Sequence, residues 1–200
     1  MKIIVIGATG TIGKHVVTLL EKGHAVIKVG HRNGDYQVDI ASKDSIEKLF
    51  KQVGKFDALV STSGLAKFGA LQDLTDQDYM LGVMNKLMGQ VNLVRAGRNY
   101  INDMGSFTLT SGVLSQEPMR GSASISMVNA ALEGFVKAAA LEMERGVRIN
   151  VVSPAFAKET MAMMGMDSAQ GMPAAQFAPS YRESIEGTRN GEVLDVRKFS

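Results

Sequence analysis

Apolar residues along this chain fall into two alternating patterns. Continuous runs rich in β-branched residues occur at Lys2–Ile6, Ala25–Val29, Ala58–Ser61, Ser106–Thr110 and Arg148–Val152. Each has the length and composition of a strand buried on both faces. Between the runs, apolar residues recur with helical period and predict helices at Lys14–Lys22, at Lys43–Phe50 behind the N-cap Ser42, at about Asp76–Arg98 and at Ser122–Glu144. A last strand is expected over Glu192–Val196, after the turn pair Asn190-Gly191. Parallel neighbours need crossovers, so strands alternating with helices predict a parallel sheet covered on both faces. The expected fold class is α/β: a doubly wound parallel sheet in three α/β/α layers.

One stretch breaks the alternation. Five of the chain's 13 methionines fall within Met161–Met172, among small and polar residues. Methionine lines mobile pockets and fills cores equally well, so this stretch reads either as an apolar lid or as a loose helix packed on the sheet. The expected organisation is a single domain over residues 1–200, with 155–190 as a lid or substrate-side insertion.

Composition narrows the function classes. The 22 Lys+Arg nearly balance the 20 Asp+Glu, for a net charge of +2, which argues against a nucleic-acid partner. The absence of cysteine removes disulfides and thiolate chemistry, and three scattered histidines make a metal centre unexpected. Lys2 leads straight into the first apolar run and a glycine turn, which reads as a strand rather than a signal peptide. No apolar run approaches the roughly 18 residues that span a bilayer. A cytoplasmic location and no membrane partner are expected.

The segment Gly7-Ala8-Thr9-Gly10-Thr11-Ile12-Gly13 lies between a predicted strand and a predicted helix. In that context the glycines have distinct uses: Gly7 for a tight turn, Gly10 for close approach to a pyrophosphate, Gly13 for close packing of helix on sheet. The helix N-terminus then presents backbone N–H groups to the phosphates. This is the signature of a dinucleotide-binding Rossmann fold. After the second strand comes Gly30-His31-Arg32, where binders of NAD place an acid. A guanidinium suits a 2′-phosphate, so NADP(H) is the expected cofactor, although nearby Asp35 could reach a ribose if its loop folds back.

With these residues in view, the chain resembles the short-chain dehydrogenase/reductase family over nearly its whole length. The resemblance rests on Gly7–Gly13, Val38-Asp39-Ile40, Phe56–Val60 with Thr62-Ser63-Gly64, and Gly146–Pro154. It implies adenine contacts from Asp39 and Ile40 and support of the cofactor's central region by Ser63 and Gly64. Pro154 would lie beside the nicotinamide. Gly10 comes one residue earlier than in most short members.

The family's proton relay needs a tyrosine and a lysine four residues apart on one helix face, and no such pair occurs in this chain. Matching Asn129-Ala130-Ala131-Leu132 to the family's Lys-Ala-Ala-Leu puts Asn129 on the lysine and Ile125 on the tyrosine. The serine's place then falls on Gly112, with Ser111 one residue off. The family's helix asparagine falls either on Asn85, by type, or on Lys86, by alignment of Gly89. The candidate catalytic set is thus Ser111, Lys86 and Asn129, with Tyr181 as a further proton donor if its segment folds over the cleft. The cofactor set is Gly7, Thr9, Gly10, Thr11, Ile12, Gly13, His31, Arg32, Asp39, Ile40, Ser63, Gly64 and Pro154. Two functions lead, an oxidoreductase acting on a small carbonyl or alcohol and a catalytically silent NADP(H)-binding sensor or scaffold; a different enzyme on the same fold, such as an isomerase or lyase, stays open with no residue pointing to it. The resemblance also implies a homodimer or homotetramer, with Leu87, Val91, Val94, Leu132, Phe135 and Val136 as candidate contacts unless they belong to the core.

Overall fold

The computed structural model describes residues 1–199. Strands β1 (Lys2–Ile6), β2 (Ala25–Gly30), β3 (Tyr36–Gln37), β4 (Phe56–Ser61), β5 (Ile101–Thr110), β6 (Arg148–Ser153) and β7 (Val193–Asp195) form one parallel sheet in the order β3-β2-β1-β4-β5-β6-β7. The helices are α1 (Gly13–Leu20), α2 (Lys43–Val53), α3 (Asp76–Leu81), α4 (Met88–Gly97), α5 (Ala123–Ala139), α6 (Lys158–Met163) and α7 (Ala178–Glu186). Side chains alternate across each strand, so each apolar run supplies two cores. Ile3, Val5, Ala58 and Val60 face α1 and α7. Ile4, Ile6, Leu59 and Phe107 face α2, α4 and α5. Each of the larger side chains among these contributes about 1.5–3 kcal/mol on full burial, which makes the two-sided runs a main source of stability.

The predicted strands all form, and Ser42 caps α2 by accepting from Ser45 N–H at 3.2 Å. Two elements were not predicted. At two residues, β3 is too short for any period to register. In α7 the inward face carries Ser180 and Ser184, both fully buried, so its apolar pattern is masked. Ser184 and Tyr181 meet a polar seam on β5: Ser184 Oγ bonds Thr108 Oγ1 at 2.7 Å, and the Tyr181 hydroxyl donates to Thr110 Oγ1 at 2.9 Å while Thr110 donates to Ser61 O. Arg148 closes the helix by donating to Ser184 O and Ile185 O, satisfying terminal carbonyls.

The segment 155–190 therefore divides. Its first part, through α6, stays at the mouth of the sheet; its second part is core. Tyr181 is 0% exposed and burial raises its phenol pKa. This corrects its candidacy as a proton donor over the cleft, because the hydroxyl lies beneath Thr110 and is already bonded. Tyr181→Phe is expected to cost about 1 kcal/mol in urea denaturation, the net worth of one buried hydrogen bond, with dinucleotide affinity unchanged.

Val94, Leu132 and Val136 are buried within the single chain. Their helical stripe is intramolecular core, so these three are not available to a partner. No helix among the described residues is long and apolar enough to cross a membrane.

Candidate functional site

Beyond the C-terminal ends of β1 and β4 the chain departs toward opposite faces of the sheet, which opens a crevice between them. The turn leaving β1 needs its glycines. Gly7 has φ +81°, and a Cβ there would strike Ser63 Oγ and lie 2.8 Å from Thr62 Oγ1. A Cβ on Gly13 would strike the Gly7 carbonyl. Thr62 braces the turn, its hydroxyl 3.0 Å from Ile6 O and 3.3 Å from Gly7 O. Ile12, at the N-cap of α1, offers no side-chain acceptor, and the first turn holds no acid. The positive end of this helix is left open to an anion. Thr9 sits on this turn with its hydroxyl facing Gly30, and Thr11 follows Gly10 at the approach to α1.

The crevice has two compartments. One, of about 320 Å³, is lined by Gly30, His31, Val38, Asp39, Ile40 and Asn85; the other, of about 350 Å³, by Ile12, Lys86, Gly112, Ile125, Asn129 and Pro154. Ser63 and Gly64 line both. Arg32 lies just past β2, exposed, with its carbonyl accepting from Gln37 Nε2 and its guanidinium in no ion pair among the described residues. Asp35 is tied elsewhere, since its carboxylate accepts from Lys28 N–H at 2.8 Å. Asp39 accepts from Ala41 N–H and fixes the loop that presents Ile40.

In the second compartment the structure resolves the competition between Asn85 and Lys86. Both line the crevice, in different compartments, which corrects the expectation that only one could face it. Residues Gly82–Leu87 form a π-helical turn between α3 and α4, and such a turn takes up one extra residue. Asn85 Oδ1 accepts from Leu65 N–H at 2.8 Å, while Gly89 packs on Ile40, where a Cβ would lie 3.0 Å from its side chain. Both registers are satisfied, and Lys86 is turned into the second compartment. Its Nζ donates to Ser111 O at 2.9 Å and its stem runs over Gly64, where a Cβ would lie 2.8 Å from Lys86 Cβ. Lys86 is the sole titratable side chain among the described residues lining this compartment, and burial lowers its pKa to about 8.

Ser111 comes to the same wall through its carbonyl. Its hydroxyl donates to Glu133 Oε1 at 3.0 Å, and Glu133 also accepts from Ser115 Oγ at 2.6 Å. At Gly112 a Cβ would stand 2.9 Å from Asn129 Nδ2, so a side chain there would require the Asn129 amide to move. Asn129 Nδ2 donates to Gly112 O at 3.3 Å, whereas its Oδ1, on a residue 1% exposed, has no partner. Glu133 was missed from sequence. Its signal was a carboxylate four residues after Asn129 on a helix whose inward positions Val128, Leu132 and Val136 are apolar.

Residues 7–198 match the family model described as enoyl-(acyl carrier protein) reductase. Among solved structures, protein lin1944 of Listeria innocua is 43% identical, with a TM-score of 0.94 over 98% of this chain and 99% of that one. A small-chain dehydrogenase in complex with NADPH is 26% identical, with a TM-score of 0.86 over 98% of this chain and 95% of that one. Among curated relatives, hydroxynaphthalene reductase of Aspergillus fumigatus is 28% identical over 68% of this chain and 52% of its own length. An uncharacterised oxidoreductase of Methylorubrum extorquens is 24% identical over 76% of this chain and 71% of its own. The match thus spans about half the length of the first of these relatives. The glycine turn, the sheet order and a family match over almost the whole chain agree, and the chain belongs to the short-chain dehydrogenase/reductase family.

Proposed function

We propose that the protein is an NADP(H)-dependent oxidoreductase that transfers a hydride between the dinucleotide and a small carbonyl or alcohol. The observation that carries this reading is the pair of compartments meeting at Ser63 and Gly64, with the glycine turn at the same sheet ends. In this reading Gly7, Thr9, Gly10, Thr11, Ile12 and Gly13 hold the diphosphate, Asp39 and Ile40 the adenine, and His31 and Arg32 the 2′-phosphate. Ser63, Gly64 and Pro154 flank the nicotinamide ribose. The fit is supported by an unpartnered buried acceptor, Asn129 Oδ1, which suits a ribose hydroxyl, and by an α1 N-terminus with no side-chain cap and no acid in its first turn, which suits a diphosphate. Preference for the phosphorylated coenzyme is supported by a free Arg32, an engaged Asp35 and the NADPH complex of a related structure. The bound dinucleotide supplies the hydride; the chain positions the reactants and provides the proton.

The test is a fluorescence titration with NADPH and NADH, followed by NADPH oxidation against a panel of aldehydes, ketones and quinones. Tighter binding of NADPH with turnover of at least one probe is expected. Lack of affinity for both coenzymes overturns the reading. Tight binding with no turnover favours the silent sensor or scaffold instead, a reading supported by Ile125 in the tyrosine's place. Light scattering tests self-association, whose surface must then lie outside the buried stripe of α4 and α5.

A further inference from the structure

Lys86 is an ammonium without a carboxylate partner inside a largely apolar pocket, an arrangement that is unfavourable unless the charge is used. Two features of the fold exist around it. A π turn brings it inward as an extra residue, and a bare Cα at Gly64 leaves room for its stem. The titratable groups nearby are engaged elsewhere. Glu133 of α5 accepts from Ser111 and Ser115, Tyr181 of α7 is bonded beneath Thr110, and Asp39 belongs to the adjoining compartment. One of the three ammonium protons goes to Ser111 O, whose peptide Glu133 positions. Around it stand Ala66, Phe68, Leu114, Ile125, Phe156 and Met164.

Resting on the oxidoreductase reading, we infer that Lys86 donates the proton to the substrate oxygen, and that the pocket selects carbonyl compounds presenting one polar oxygen on an apolar body. In reduction, a bound dinucleotide would supply the hydride that the carbonyl carbon accepts. The C=O π electrons move onto oxygen, which takes one proton from Lys86 and becomes a hydroxyl. The neutral amine regains its proton from water; oxidation of the alcohol reverses each transfer. Burial favours this role, because an amine with a pKa near 8 releases its proton more readily than an ordinary lysine yet remains charged at neutral pH.

The test compares wild type, Lys86→Met and Lys86→Arg with NADPH and three probes: benzaldehyde, cyclohexanone and 9,10-phenanthrenequinone. It also follows the ¹³C resonance of the Lys86 ε-carbon with pH, assigned by its loss in Lys86→Met. The resonance is expected to titrate near pH 8. In Lys86→Met, kcat/KM should fall by about 10²- to 10⁴-fold while NADPH still binds. The wild-type reduction rate should be level below pH 8 and decline above it, a profile absent from both variants. Lys86→Arg should stay impaired, since a guanidinium does not release a proton; if the charge merely anchored Ser111, arginine would restore activity. Turnover by either variant at the wild-type rate, or titration at an ordinary lysine pKa, overturns the inference alone. A wild type that binds NADPH but reduces none of the probes overturns the oxidoreductase reading and this inference with it.

Discussion

Lys86→Met is expected to stabilise the free protein by about 1–2 kcal/mol at pH 7, although it removes a hydrogen bond. The lysine's pKa falls from 10.5 to about 8 on folding because burial disfavours the charged form. A shift of that size is worth at most about 3 kcal/mol. The side chain keeps some contact with solvent, and the bond to Ser111 O contributes about 1 kcal/mol, so the net gain is smaller. The direction with pH follows from linkage. Below pH 8 both states hold the proton and the folded state carries the full penalty. Between pH 8 and 10.5 the unfolded chain holds a proton that the folded chain has released, so wild-type stability rises with pH. The advantage of the methionine variant should therefore be greatest at neutral pH and fade toward pH 10. Urea denaturation of both proteins at the two pH values measures it. A variant less stable than wild type at pH 7 would show that the ammonium supports the fold. Stabilisation with loss of turnover is the behaviour of a group retained for chemistry.

Arg32→Ala should weaken NADPH binding by about 10- to 100-fold and leave NADH nearly unchanged. Hydrogen bonds to a charged partner contribute about 1.5–3 kcal/mol, and the two coenzymes differ only in the 2′-phosphate, which the proposed function assigns to Arg32. The side chain is exposed, so its contribution is screened, and the preference for NADPH should shrink as salt is raised. Titration of both coenzymes at low and high salt reads both effects. An equal loss for NADH would place Arg32 on a part of the ligand common to the two.

Much of the architecture was legible before any coordinates. Strands of a doubly covered parallel sheet must be apolar on both faces, so Lys2–Ile6 and Arg148–Val152 stand out as continuous runs. The glycine turn was equally plain, because Gly7 and Gly13 meet backbone or side-chain atoms where any Cβ would go. By contrast, α7 was hidden because its buried face includes Ser180, Tyr181 and Ser184, and the last two are satisfied only by Thr110 and Thr108 on a distant strand.

Sequence alone determined the parallel sheet and the glycine turn that leaves its first strand, since each rests on residue type and local spacing. Tertiary structure decided which side chains line the crevice. Counting along a regular helix forces a choice between Asn85 and Lys86, whereas the π turn admits both, and it is the contacts of Leu65 with Asn85 and of Ile40 with Gly89 that hold the extra residue there. In the same way, residue type marked Ser111 as a hydroxyl, but packing against Glu133 turned that hydroxyl aside and left its carbonyl to Lys86. Such outcomes depend on partners tens of residues away, which local pattern does not encode.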